Sequence, residues 1–189
     1  MPSWIEFRLG CRGLYRLALF DRSFTGFFDR STAGVLRSFG LFLLLLPIVL
    51  WQVWLTNEPP ADNPVLFLAG RSVAYAYNWI LFPFLIVFAA RFLERDAEAA
   101  GCVAIYNWTN VLWVALQMPT TLILALGVPV TAAQLLGLAL LIASLVIEGF
   151  MFLVVLRLVL WQAAALVALD FLLSLMVIWP MGDWLSGVK

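Results

Sequence analysis

From residue 35 onward the chain alternates between long apolar runs and short polar breaks. A helix crossing a bilayer needs about 20 apolar residues. Five runs reach that length: 35–55, 65–90, 102–128, 133–156 and 160–181. The breaks carry turn chemistry. "LTNEPPADNP" (55–64) sets prolines among Asn and Asp, "ARFLERDAEAAG" is a short charged loop, and "LGVPVTA" is a tight apolar one. Between 132 and 181 only Arg157 punctuates the run. Roughly 50 residues is too long for one span, so a turn near 157–162 is required.

The first 34 residues follow a different pattern. Trp4, Phe7, Cys11, Leu14 and Ala18 recur at spacings of three and four and so share one helical face, with Arg8, Arg12 and Arg16 off that face. This spacing predicts a helix over 3–20 that lies on the membrane and is not a sixth span, although Gly10 and Gly13 weaken it. The word Phe-Asp-Arg-Ser then occurs twice, at 20–23 and 28–31, with Gly26 and Gly34 in matching places. Asp and Ser suit positions where a chain leaves one helix and caps the next. The doubled word therefore predicts a stepped interfacial connector, its phenylalanines in lipid and its arginines at headgroup level. The expected fold is all-α: a polytopic membrane bundle of about five transmembrane helices (35–189) preceded by an amphipathic, interfacial N-terminal region (1–34).

Composition agrees with this pattern. Residues are 65% hydrophobic and 12% charged, and mean hydropathy is +1.03, outside the range of soluble domains. A formal net charge of zero hides a strong asymmetry. Arg8, Arg12, Arg16, Arg22, Arg30 and Arg37 all precede the first apolar core and are candidates for anionic headgroup contact. The basic region is too long for a signal peptide, and no small-residue cleavage site follows 41–46, so the first run reads as a retained anchor. With the N-terminus inside, Arg91, Arg95 and Arg157 join those six on the inner side, against Arg71 and Lys189 outside. That split predicts a cytoplasmic N-terminus and an outside C-terminus, here in a bacterial inner membrane. Nine tryptophans, most near run ends, suit the headgroup layer.

Candidate chemistry is sparse. The chain has no histidine, which removes the commonest metal and haem ligand and the usual general base. Cys11 and Cys102 have no CxxC spacing and read as free thiols. Glu148 and Asp170 lie within apolar runs, each about ten to twelve positions from the required turn, so folding the hairpin brings them to similar depth. Ser144 shares a face with Glu148, and Ser174 with Asp170, offering small size and hydrogen bonds. The pair is either a proton- or cation-responsive site or a neutral hydrogen-bonded tie between two helices. On the third run Tyr106, Asn110 and Gln117 share a face, and Pro47, Pro83 and Pro119 sit inside the first three runs. Such amides either line a small polar cavity or glue helices together. The echo of Tyr77-Asn78-Trp79 in Tyr106-Asn107-Trp108 has no matching flanks and reads as chance. No phosphate-binding glycine loop, GxSxG, HExxH, carboxylate metal cluster or nucleic-acid-binding basic stripe is present. The chain thus reads as non-enzymatic, with no cofactor or metal.

Arg-Ser-Phe at 37–39 and Leu-Asp-Phe-Leu-Leu-Ser-Leu at 169–175 resemble segments of small bacterial inner-membrane proteins, and the plan of cytoplasmic N-terminal region, five spans and short outside tail resembles the Yip family. The Asp-Leu-Tyr-Gly-Pro type of signature of that family is absent, so no functional residue carries over. Two functions remain open: a non-catalytic accessory or scaffold subunit whose partners are lipids and other membrane subunits or further copies of itself, and a small proton- or cation-linked transporter or channel using the Glu148–Asp170 region. Reporter fusions at Met1 and Lys189 are expected to report opposite sides of the membrane. The same side for both would overturn the five-span arrangement.

Overall fold

A computed structural model of the chain describes residues 1–56 and 63–185, with side chains as far as 176. Most of the predicted 55–64 turn, and Lys189 of the expected outside tail, lie outside the described residues. Every described element is helical. In order they are α1 (Trp4–Ala18), a short 3-10 helix (Arg22–Phe27), α2 (Thr32–Ser38), α3 (Leu41–Thr56), α4 (Pro64–Phe92), α5 (Asp96–Ala125), α6 (Val130–Val155) and α7 (Leu160–Leu185). Four stretches are long and apolar enough to cross a bilayer: Thr32–Thr56, α4, α5 and α6. The whole of α7 is 26 residues long, with an apolar stretch over Leu160–Met176. The fold is a helical membrane bundle with a separate N-terminal helix, as the pattern predicts.

The first span departs from expectation by being broken. α2 ends at Ser38 and α3 begins at Leu41, with Gly40 between them. A side chain on Gly40 would come within 2.8 Å of the Met1 backbone, so only glycine lets the chain start pass there. Elsewhere the boundaries follow local chemistry. Pro64 opens α4 while Asn63 Oδ1 accepts the Leu66 N–H at 3.0 Å, a helix start that needs no donor from proline. The turn required near 157–162 falls between α6 and α7, where Arg157 takes a left-handed φ of +54°. Its guanidinium lies 3.8 Å from Glu98 of α5 at the same end of the bundle.

α5 is the central helix. α1, α2, α3, α4 and α6 pack on it, and α7 closes the ring between α4 and α6. Its first half is buried almost all round, from Cys102 to Trp108. Large apolar side chains of α4 and α6 point outward, among them Ile80, Phe84, Phe88, Leu135, Leu138 and Ile142. Exposed apolar surface of this extent suits lipid, not water.

The doubled word resolves into two Asx turns. Asp21 Oδ1 accepts the Ser23 N–H and Asp29 Oδ1 the Ser31 N–H, each at 2.9 Å. These N–H donors, more than any charge, hold both carboxyls below the usual aspartate range. An arginine then clamps each turn. Arg16 reaches Asp21 at 2.8 Å and Ser23 at 2.7 Å. Arg37 bonds Asp29 and also Glu6 Oε1, the latter at 2.7 Å. The first turn ends α1 and starts the 3-10 helix; the second places Ser31 as the cap of α2, accepting the Gly34 N–H at 3.1 Å. The connector is stepped, but its phenylalanines do not all face lipid. Phe28 is buried against Trp108 and Phe24 is fully buried, whereas Phe20 is half exposed beside Phe150.

α1 packs on a face rotated slightly from the one the spacing picks out, keeping Leu14 buried and Phe7 and Ala18 against the core. Gly10, Gly13, Leu14 and Leu17 are buried while Trp4 and Cys11 are exposed. The reason is close approach. A Cβ on Gly10 would lie 2.4 Å from the Trp108 ring, and one on Gly13 2.6 Å from the Phe28 ring. The glycines that weaken α1 as a free helix are what lets it dock, Gly10 on α5 and Gly13 on the connector. The two matching glycines of the doubled word separate in the same way: a Cβ on Gly34 would sit 2.2 Å from the Asp29 carbonyl oxygen, whereas Gly26 has nothing within 4 Å. In detergent unfolding, Gly34→Ala is expected to lower stability by about 1–3 kcal/mol through overpacking, and Gly26→Ala to change it by less than about 0.5 kcal/mol. Equal effects would show that the second turn is not built against α2.

Candidate functional site

The two intramembrane acids meet. Glu148 on α6 and Asp170 on α7 are 7% and 9% exposed, and their carboxyl groups lie within hydrogen-bonding reach of each other. A hydrogen bond between two carboxyls requires a proton on one of them, so a neutral carboxyl beside an ionised one is the arrangement this placement suits. Tyr106 on α5 supplies a third group: its hydroxyl donates to Asp170, 3.2 Å from Oδ1 and 3.3 Å from Oδ2. About 10–15 Å of helix separates this cluster from the α6–α7 turn.

Above the cluster lies a cavity of about 570 Å³. Its walls explain its shape. α3 contributes from Val49 to Thr56, α5 from Tyr106 to Thr121, α6 from Gly137 to Glu148 and α7 from Asp170 to Leu175. Each of these stretches runs from the level of the acids toward the end that carries the α3–α4 connection and the α5–α6 turn. Toward the other end the bundle is filled by Phe82, Ile86, Ile105, Met151, Phe152 and Leu156, each 1% exposed or less. The cavity is therefore one-sided, and the acid pair forms its floor.

The predicted polar residues divide by what they do. Asn110 and Gln117 both line the cavity; Asn110 Nδ2 also donates to the Tyr106 carbonyl of its own helix at 3.2 Å. Ser144 donates to the Leu141 carbonyl at 2.7 Å, turning back on its own helix instead of tying α6 to α7. Ser174 does reach across, with its Oγ 3.5 Å from Asn78 Oδ1 on α4. The ties between helices come from elsewhere. Asn107 Nδ2 donates to Ser38 Oγ at 2.9 Å, joining α5 to α2, and Gln52 Nε2 donates to the Val114 carbonyl at 3.3 Å, joining α3 to α5. Gln52 escapes sequence reasoning because a single amide in a Leu- and Trp-rich run has no periodic companion.

Two buried polar atoms on residues lining this cavity, Glu148 Oε1 and Thr120 Oγ1, have no hydrogen-bond partner among the described residues. Arg71, also on the wall, stacks its guanidinium 5.2 Å from the Phe67 ring centre. Among the described residues no cluster of three or more His, Cys, Asp or Glu side chains could hold a metal ion. The arrangement places two carboxyls and a phenol together at the floor of the cavity.

No family model matches the chain, and neither a curated protein nor a solved structure is similar to it; the likeness of plan to the Yip family gains no support from them. The contact geometry gives a direct test. Glu148→Gln and Asp170→Asn retain a donor and an acceptor and are expected to unfold near the wild-type midpoint. Asp170→Leu leaves Tyr106 and Glu148 unpaired and should cost about 1–2 kcal/mol. Leucine variants as stable as the amides would show that the pair contributes no hydrogen bonding.

Proposed function

We propose that the chain is a multi-pass protein of the bacterial inner membrane, with a cytoplasmic N-terminus and an outside C-terminus, whose outward-facing cavity takes a small solute in a proton- or cation-linked manner. Glu148 and Asp170 are the responsive groups, and Tyr106 positions Asp170. The observation that carries this reading is the placement of a paired carboxyl cluster at the floor of a one-sided cavity whose largely apolar wall carries Asn78, Asn110 and Gln117. Ionisable groups at such depth are costly unless they face a partner or an accessible space, and here they have both. The orientation rests on the arginine asymmetry. Arg8, Arg12, Arg22 and Arg30 are exposed and take part in no ion pair among the described residues, which leaves them to anionic headgroups. Arg16 and Arg37 contribute to that surface with part of their charge already paired.

A second reading, the non-catalytic accessory or scaffold subunit, is favoured by the internal ties at Asn107 and Gln52, which show polar side chains of this bundle serving helix packing. Carbodiimide labelling separates the two, because the reagent needs a protonated carboxyl that it can reach. In native membranes, labelling mapped by mass spectrometry is expected on Glu148 or Asp170 and should fall as pH rises. Absence of labelling on both, together with a stoichiometric subunit in a native pull-down, would favour the accessory role and overturn the solute site.

A further inference from the structure

We infer that the solute of the cavity is a protonated amine, which binds its ammonium group at the acid pair in exchange for the shared proton; this rests on the solute-site reading above. Four observations converge on that class. First, the floor is acceptor-rich. Glu148 lines the cavity and is 7% exposed, and its buried Oε1 has no hydrogen-bond partner among the described residues. Once the proton between the carboxyls leaves, the cluster offers carboxylate oxygens of Glu148 and Asp170, and the Tyr106 oxygen beside them, to a single small donor. An ammonium brings three N–H donors on one tetrahedral centre, which suits such a set, and charge-assisted bonds are the strong ones.

Second, a bare metal ion fits poorly. Only two carboxyls and a phenol converge, no cluster of three ligating side chains exists among the described residues, and hard cations ask for about six oxygens. Third, about 570 Å³ is far more room than an ion needs and is within the range of small-molecule sites. Fourth, the walls above the floor suit an organic body. Trp113 and the Tyr75 ring present apolar faces, while Asn78, Gln117, Thr120 and the Tyr75 hydroxyl offer polar contacts. An anionic solute has no comparable floor to meet.

The charged and titratable groups around Glu148 are Tyr106 and Cys102 from α5 and Asp170 from α7, with Tyr75 and Arg71 from α4 higher on the wall; α3 contributes the neutral Gln52 to the same cavity. The proton that moves is the one shared by the two carboxyls. Binding replaces one positive charge at the floor by another: the ammonium enters, the proton leaves to water, and the net charge of the site is unchanged. Amine binding should therefore strengthen with rising pH, up to the point where the amine itself loses its proton.

The test uses the full chain in nanodiscs of phosphatidylethanolamine and phosphatidylglycerol, with radiolabelled n-butylamine as probe and n-butanol, sodium and calcium as competitors. Saturable binding near pH 7 is expected to weaken at about pH 5, and by about tenfold or more in Glu148→Gln and Asp170→Asn, the loss of a charge-assisted bond. Thermal unfolding checks that both variants remain folded, and n-butanol, sodium and calcium should compete poorly. Absence of saturable amine binding by folded wild-type protein overturns the inference, and so does binding that the amide variants retain. Sodium or calcium competing as well as the amine also overturns it, marking an inorganic cation site. In each case pH-dependent carbodiimide labelling of the pair would still stand or fall separately, so loss of the amine is distinguishable from loss of the site.

Discussion

Hydrocarbon offers no hydrogen bonds, and every polar group carried into the bundle must find its partner in protein or in a space that admits one. That constraint sorts the polar residues of this chain into three destinations. Ser38, Ser72, Thr109 and Ser144 turn back to carbonyls of their own helices. Asn107 and Gln52 cross to a neighbouring helix and fasten α2 and α3 to α5. The remainder gather where five helices do not quite fill the middle. Glu148 and Asp170 stand out because each would be expensive against lipid, and together they face both each other and the cavity.

The half of the bundle that carries α1 obeys a different rule, that of close contact. Gly10 brings α1 against α5 and Gly13 brings it against the connector, and a ladder of rings from Trp4 through Phe7 to Trp108 and Phe28 fills the seam. Aromatic rings supply large contact area at modest entropic cost. Dense packing at that end and a cavity at the other make the bundle asymmetric along the membrane normal, and the acid pair lies at the boundary between the two regimes.

Much of this was legible as apolar run length. The α6–α7 turn followed from the impossibility of a single span of that size, and the meeting of Glu148 with Asp170 followed from their near-equal distance from it. The glycines of α1 were misread because their helix-weakening effect looks the same whether the helix is frail or its neighbour is close. The connector phenylalanines were misplaced for a related reason: an apolar ring suits lipid and protein core equally, and only the position of Trp108 decides between them. The cavity itself was visible from sequence only as one of two alternatives for the amides. Whether space survives between helices depends on the summed side-chain volumes of all five, which no periodicity reports.

The docking of α1 has a consequence for how the chain is made. Its seat consists of Trp108 on α5 and Phe150 on α6 beside the connector, segments that leave the ribosome roughly a hundred residues after α1 itself. Throughout that interval α1 exists without its partner, and its arginines and exposed Trp4 give it a resting place on the bilayer surface. The docked position of α1 is thus one that the chain can reach only after α5 and α6 have been made, which ties the placement of its first helix to the synthesis of its later ones.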